Sequence, residues 1–267
     1  MNRLIRDIAI FLILFFGMWK ALAFLDWRAF LKVKEVNESS ETHLGELIRK
    51  SIRNTEEVIT EPVVTKPVMK LISRLTEKNG LDTVKIQVIV VRSSKINAFA
   101  LPGGFIVVNS RLLKEVQSEA ELAGVLAHEM AHIAKRHVMK KLMKELGLAF
   151  LLSAASGNNS ATEQLGAIAK TLSSSAYDRE LETEADETAV TFLENAGINP
   201  QGLAEFLYKL KDEDEASLQA LSWFSTHPEL EERAKHILSL SSEKSDTLSP
   251  ILTSEEWEKM RAYKLSY

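Results

Sequence analysis

The chain of 267 residues contains no cysteine. That removes a thiol nucleophile, a thiolate-held metal and a lipidated cysteine, so any zinc has to be held by His, Asp or Glu. The absence fits an oxidising compartment without establishing one. Positive charge is not in excess either. The 33 Lys and Arg stand against 37 Asp and Glu, a net charge of −4, and no basic face is on offer to nucleic acid. Long apolar runs are scarce. One opens the chain, and a second at residues 146–155 falls short of the roughly 20 residues that cross a bilayer. There is no internal repeat. Histidine is also sparse, 6 in all, which makes the placing of those present informative.

Two of them, His128 and His132, bracket Glu129 as HExxH within an uncharged stretch running from Val125 to Ala134. Residues four apart share a helix face, with Cβ atoms about 5–6 Å apart. Two imidazoles so placed can hold one metal, and zinc is the usual occupant of this pattern. Glu129 lies about 100° round the axis from His128, beside the metal, where it can act as general base towards water. The uncharged flanks suit a helix buried beneath an active site. Ser118 and Glu121 form a capping box at its start, and the helix is expected to run to about Leu146. His137 lies five residues past His132, on another face, and is read as structural or solvent-facing.

A catalytic zinc takes three protein ligands and keeps one position open. The helix that opens at residues 177–186 offers the third. Glu182 and Asp186 are four apart and share a face. Glu182 is the candidate ligand. Asp186, one turn on, is placed to accept a hydrogen bond from a ligand imidazole and fix its tautomer. Glu180 and Glu184 near the helix start need no function, because acidic residues there complement the helix dipole. His227 precedes Pro228 in a loop. Three readings stay open for it: an exposed loop histidine, a fourth ligand that holds the enzyme latent, or a hydrogen-bond donor to a developing oxyanion.

The rest of the chain supplies the frame. Arg3 and Arg6 precede an apolar run over residues 8–25, interrupted by Lys20 and flanked by Trp19 and Trp27. It reads as an uncleaved membrane anchor with the remainder outside the cytoplasm. The rival is a cleaved signal segment, since Ala21-Leu22-Ala23 resembles a cleavage site. Residues 28–60 read as a polar linker with a short solvated helix. A helix with Pro67 near its start and Gly80 after its end follows. Residues 84–91, 97–101 and 105–108 read as strands, the last two an antiparallel hairpin turned by Pro102-Gly103-Gly104. The edge formed by Asn97, Ala98, Phe99 and Ala100 is either plain scaffold or a rail for an extended peptide. Residues 146–176 read as a helical hairpin, either packed on the core or lying against a membrane surface. Thr253 and Glu256 cap a terminal helix.

Taken together, HExxH at 128–132, R-x-x-E-x-x-x-D from Arg179 to Asp186, NAFALPGG at 97–104, and THP with Arg233 downstream resemble the HtpX-like and CAAX-prenyl-protease-like zinc metallopeptidases, metallopeptidase family forty-eight. The members with a soluble domain behind a single N-terminal segment look closest. The resemblance implies a gluzincin fold, one zinc per chain on His128, His132 and Glu182, Glu129 as base, and His227 close to the metal. The expected class is α+β, mainly helical, with a small antiparallel sheet over the HExxH helix. The expected organisation is an anchor or signal segment at 1–27, the linker at 28–60, a metallopeptidase domain at 61–240 and a tail with a short helix at 241–267. The expected activity is endopeptidase cleavage of extended or misfolded polypeptides in envelope quality control. The alternative from another class is a zinc-scaffolded, chaperone-like binding protein, which an intact Glu129 argues against.

Overall fold

The computed structural model describes residues 38–81, 86–155, 161–211, 222–241 and 250–263. The apolar run at 8–25, with both of its readings, lies outside them. Among the described residues no helix is long and apolar enough to cross a membrane. In chain order the elements are α1 (Glu38–Thr55), β1 (Val58–Ile59), α2 (Pro62–Lys78), β2 (Gln87–Val91), β3 (Ala98–Leu101), β4 (Phe105–Asn109), α3 (Ser110–Glu115), α4 (Glu119–Ala134), α5 (His137–Leu146), α6 (Leu148–Ala155), α7 (Ala161–Ser174), α8 (Arg179–Ala196), α9 (Gln201–Lys211), α10 (Ser222–Thr226), α11 (Leu230–Leu240) and α12 (Ser254–Ala262). This is the expected α+β class, mainly helical.

The sheet is mixed, with strand order β1-β2-β4-β3. The hairpin β3–β4 is antiparallel as the Pro102-Gly103-Gly104 turn demands, with Gly103 and Gly104 at φ 76° and 90°. The sheet as a whole is not antiparallel, because β2 pairs with β4 in parallel. The chain leaves β2, crosses to the far edge to lay down β3, and the hairpin returns β4 into the gap. Alternation in a sequence marks strands but not their neighbours. The Asn109 N–H donates to the Asn97 carbonyl at 2.9 Å. Ladder bonds therefore fall on Asn97, Phe99 and Leu101, and the N–H and C=O groups of Ala98 and Ala100 face the outer edge.

Helix α4 is the hub, with every residue from Glu121 to His132 buried. It packs against β3, α2, α8 and α9. Its cap differs in detail from the expected box. The Ser118 side chain accepts from the Glu121 N–H, while the Glu121 carboxylate takes the Gln117 N–H and the Lys209 ammonium instead. Thr253 and Glu256 make the full reciprocal box on α12.

Three local expectations are corrected. The HExxH helix does not run to Leu146. It stops at Ala134, Arg136 turns through a left-handed conformation at φ 56°, and α5 begins afresh at His137. Helix α2 starts at Pro62, and Pro67 sits inside it with its ring buried. Residues 38–55 are not a solvated stretch of linker. They form an 18-residue helix with Leu44, Ile48 and Ile52 buried, because a sparse apolar stripe at helical spacing suffices once another surface receives it. The α6–α7 pair packs against α1 and α5, as core packing requires.

Helices α4 and α9 cross at two glycines. A Cβ on Gly124 would meet the Leu203 Cβ at 2.7 Å, and one on Gly202 would meet the Ala120 carbonyl carbon at 2.5 Å. Helix propensity alone favours Gly124→Ala by about 1 kcal/mol, but overpacking costs about 1–3 kcal/mol and wins. Urea denaturation should show Gly124→Ala destabilised, whereas Gly166→Ala, with nothing within 4 Å of its Cβ, should gain up to about 1 kcal/mol.

Candidate metal centre

Four elements converge on one point. Helix α4 supplies His128, Glu129 and His132; α8 supplies Glu182 and Asp186; the end of α10 supplies His227; and α11 supplies Arg233. All are buried. His128 Nε2 and His132 Nε2 are 3.0 Å apart. Glu182 stands 3.5 Å from the first of these nitrogens through Oε2 and 3.4 Å from the second through Oε1. A tetrahedral zinc with ligands at about 2.0–2.1 Å has ligand-to-ligand edges near 3.3 Å. The two imidazole nitrogens and the Glu182 carboxylate thus already lie near the spacing such an ion imposes. His227 Nδ1 completes the group, 3.2 Å from His128 Nε2 and 2.9 Å from Glu182 Oε1. One ligand atom from each of the four residues lies within 4.8 Å of all the others. The donor set of imidazole nitrogen and carboxylate oxygen fits zinc.

The surroundings set protonation. Burial pushes the His227 imidazole down to about 4 despite the pull of Glu182, and holds His132 well below its ordinary value. Both are thereby neutral, the form that binds metal. Burial also acts to lower His128, but the Asp186 and Glu182 carboxylates outweigh it and raise the group to about 9, so a cation arriving there displaces a proton. Burial pushes the Glu129 carboxyl up to about 8. Neither Glu129 oxygen meets a well-aligned donor among the described residues. The nearest ring nitrogen is His227 Nε2, at 3.4 Å.

Asp186 stands 2.9 Å from His128 Nδ1, where the sequence placed it. Its other contacts are with Arg233, whose Nε and Nη2 donate at 2.7 and 2.8 Å while Nη1 lies 2.5 Å from Glu182 Oε2. Burial alone would raise the Asp186 carboxyl, yet the guanidinium holds it below the usual carboxylate range. Aromatic faces close the site. Tyr177 stacks on His132 with ring centroids 3.9 Å apart, and Trp223 stacks on His227 at 4.2 Å.

The structure brings together every expected metal and base residue, with His227 among them. It places the expected substrate strand beside them too, since β3 packs against α4. Asn97, Ala98, Phe99 and Ala100 are all buried, the strand lying against α7. Sequence reasoning missed Tyr177, Trp223, His137 and Glu184. It named Arg233 only as part of a motif. His137 is fully buried and touches His132, and Glu184 is its partner, so neither is a bystander. The signal that was available is the number of histidines: four of the 6 in the chain meet here.

Fold and site together have the HExxH and distal carboxylate arrangement of a zinc metallopeptidase domain. The family model described as Peptidase family M48 matches residues 62–241, and the chain belongs to that family. The Beta-barrel assembly-enhancing protease of Escherichia coli strain K12 is 28% identical over 204 residues, 72% of this chain and 42% of that protein. Metalloprotease LoiP of the same strain is 34% identical over 164 residues, 60% of this chain and 64% of that protein. The mitochondrial metalloendopeptidase OMA1 of Schizosaccharomyces pombe is 30% identical over 172 residues, 64% and 51% of the two chains. This chain therefore spans about two fifths of the length of the beta-barrel assembly-enhancing protease it matches.

Removing the Glu182 carboxylate deletes a ligand. Metal analysis of Glu182→Ala should show the zinc lost, while Glu184→Ala still reaches one zinc per chain at saturating metal; the reverse would exchange the two roles. Arg233→Met leaves the Asp186 and Glu182 charges buried without their partner and should destabilise the protein by about 3–5 kcal/mol, read from chemical denaturation.

Proposed function

We propose that the chain cuts extended or misfolded protein segments as part of quality control in a cell envelope. The observation that carries this reading is the placing of His128, His132 and Glu182 at tetrahedral edge lengths, with the Glu129 carboxylate beside them. When bound, zinc supplies the Lewis acidity that polarises a carbonyl and acidifies water. Glu129 takes the proton of the attacking water on a carboxylate oxygen and passes it to the leaving amide nitrogen. Asp186, held by Arg233, keeps His128 in the right tautomer.

The outward N–H and C=O groups of Ala98 and Ala100 pair with the main chain of a substrate, which is why the substrate has to be extended. In the state described, both residues and the whole site are buried. His227 occupies the place a substrate carbonyl needs, and we read this as a latent arrangement released when an extended segment engages the β3 edge. Within the family, the chain groups with members that carry one N-terminal segment, residues 8–25 acting as an anchor with the domain on the outer side. The name of the beta-barrel assembly-enhancing relative supports an envelope setting.

Two measurements test this. Casein degradation should vanish in Glu129→Gln with its zinc retained; activity in that variant would leave the chain a binding scaffold. His227→Ala should raise basal cleavage. A fall in kcat of about 10²–10³ at equal zinc content would instead make His227 an oxyanion donor, and no change would remove it from the mechanism.

A further inference from the structure

The two ligand imidazoles of α4 are held by different surroundings. His128 Nδ1 meets a buried carboxylate directly. His132 Nδ1 meets another imidazole, His137 Nδ1, at 3.1 Å, and His137 Nε2 lies 3.2 Å from Glu184 Oε2. We propose that His137 and Glu184 form a hydrogen-bonded relay that fixes the proton of His132 and sets how firmly that imidazole binds the metal. The proposal rests on the zinc reading above and concerns His137 and Glu184 as positioning residues.

The chemistry leaves one arrangement of protons. His132 Nε2 faces His128 Nε2 and Glu182 Oε1, so its lone pair is the one given to metal and its proton belongs on Nδ1. A nitrogen-to-nitrogen contact at 3.1 Å is a hydrogen bond only if the second nitrogen accepts. His137 Nδ1 is then bare and its proton sits on Nε2, where the Glu184 carboxylate accepts it. Both distances lie in the ordinary hydrogen-bonding range. The chain carboxylate–imidazole–imidazole is thereby satisfied at every step, with one neutral imidazole buried in the middle. A residue that merely filled this space would have no reason to aim one ring nitrogen at a ligand and the other at a carboxylate.

The backbone is shaped to allow it. In an unbroken helix, the residue five past His132 lies about 140° round the axis and cannot reach it. The left-handed turn at Arg136 restarts the chain as α5 and brings His137 back over His132. On α8, Glu184 is two residues from Glu182 and so points to the other side, towards α5. Its second oxygen lies 3.1 Å from Lys135 Nζ. His128 is thus backed by a carboxylate fixed in the core, while the backing of His132 ends at a side chain that is 42% exposed and shared with a lysine. His132 is the more weakly held of the two ligands.

The test is zinc affinity by chelator competition, together with the visible spectrum of the cobalt-substituted protein, on the full chain. His137→Leu should bind zinc about 10–100-fold more weakly, the usual effect of losing an outer partner of a ligand, and should shift the cobalt bands. His137→Asn, whose side-chain oxygen can accept from His132 Nδ1, should recover most of the affinity. Glu184→Gln, on the surface and safe for folding, should weaken zinc by a smaller factor in the same direction, while Glu180→Gln leaves affinity and spectrum unchanged. One zinc in the wild type with unaltered affinity and bands in His137→Leu and Glu184→Gln overturns the relay alone. A wild type that binds no zinc overturns the metal reading and the relay with it.

Discussion

Three carboxylates, Glu129, Glu182 and Asp186, are buried in one pocket with a single guanidinium, Arg233. Burial holds the proton on Glu129, and the carboxylates beside His128 keep that imidazole charged, so Glu182 and Asp186 face two positive groups, Arg233 and His128, as buried charges must. A divalent cation bound there would replace the protons held on His128 and Glu129. Much of the architecture serves this balance. Arg233 reaches in from α11 to touch both carboxylates of α8, α8 packs along α4, and the aromatic faces of Tyr177 and Trp223 keep water from screening the charges. Metal, fold and pKa values are one problem here.

The local chemistry of the site could be read from the sequence because it is carried by spacing. His128 and His132 share a face by helical arithmetic, and so do Glu182 and Asp186. Their reading needed only that each helix form. The hairpin at 97–104 announces itself through its turn residues. What could not be read depends on backbone departures without a residue signature. Arg136 takes a conformation that glycine usually supplies, so nothing in the sequence marks the end of α4, and His137 was projected onto the wrong face. Glu184 looked like dipole complement because its partner was misplaced. The parallel pairing of β2 with β4 is set by chain crossover, which alternation does not encode. Helix α1 was taken for linker because four apolar residues in 18 look insufficient until the surface receiving them is known.

His227 is fixed by main-chain bonds as well as by its ring contacts. The Trp223 N–H donates to the Ile96 carbonyl just before β3, the His227 N–H to the Trp223 carbonyl, and the Tyr177 N–H to the Thr226 carbonyl. The histidine, the substrate strand and the approach to α8 are therefore fastened to one another by short bonds through a five-residue helix. On the proposed reading, pairing a new chain against that strand would disturb the seat of the ring and displacing the ring would loosen the strand, which would make edge occupancy and release of the ligand position parts of one equilibrium.

The hairpin tip has an asymmetry of its own. A Cβ on Gly45 of α1 would lie 1.9 Å from the Pro102 carbonyl oxygen, and one on Gly103 would lie 2.7 Å from the Thr42 Cα. There the two backbones touch with no side chain between them, so the turn has no slack. The other end of β3 is joined to its cover through side-chain and single main-chain bonds, Asn97 Nδ2 to the Ser173 carbonyl at 3.4 Å among them. Strand β3 is thus held by direct backbone contact at its Pro102 end and by hydrogen bonds at its Asn97 end. On the proposed reading, a polypeptide pairing alongside it would meet a fixed stop at the Pro102 end.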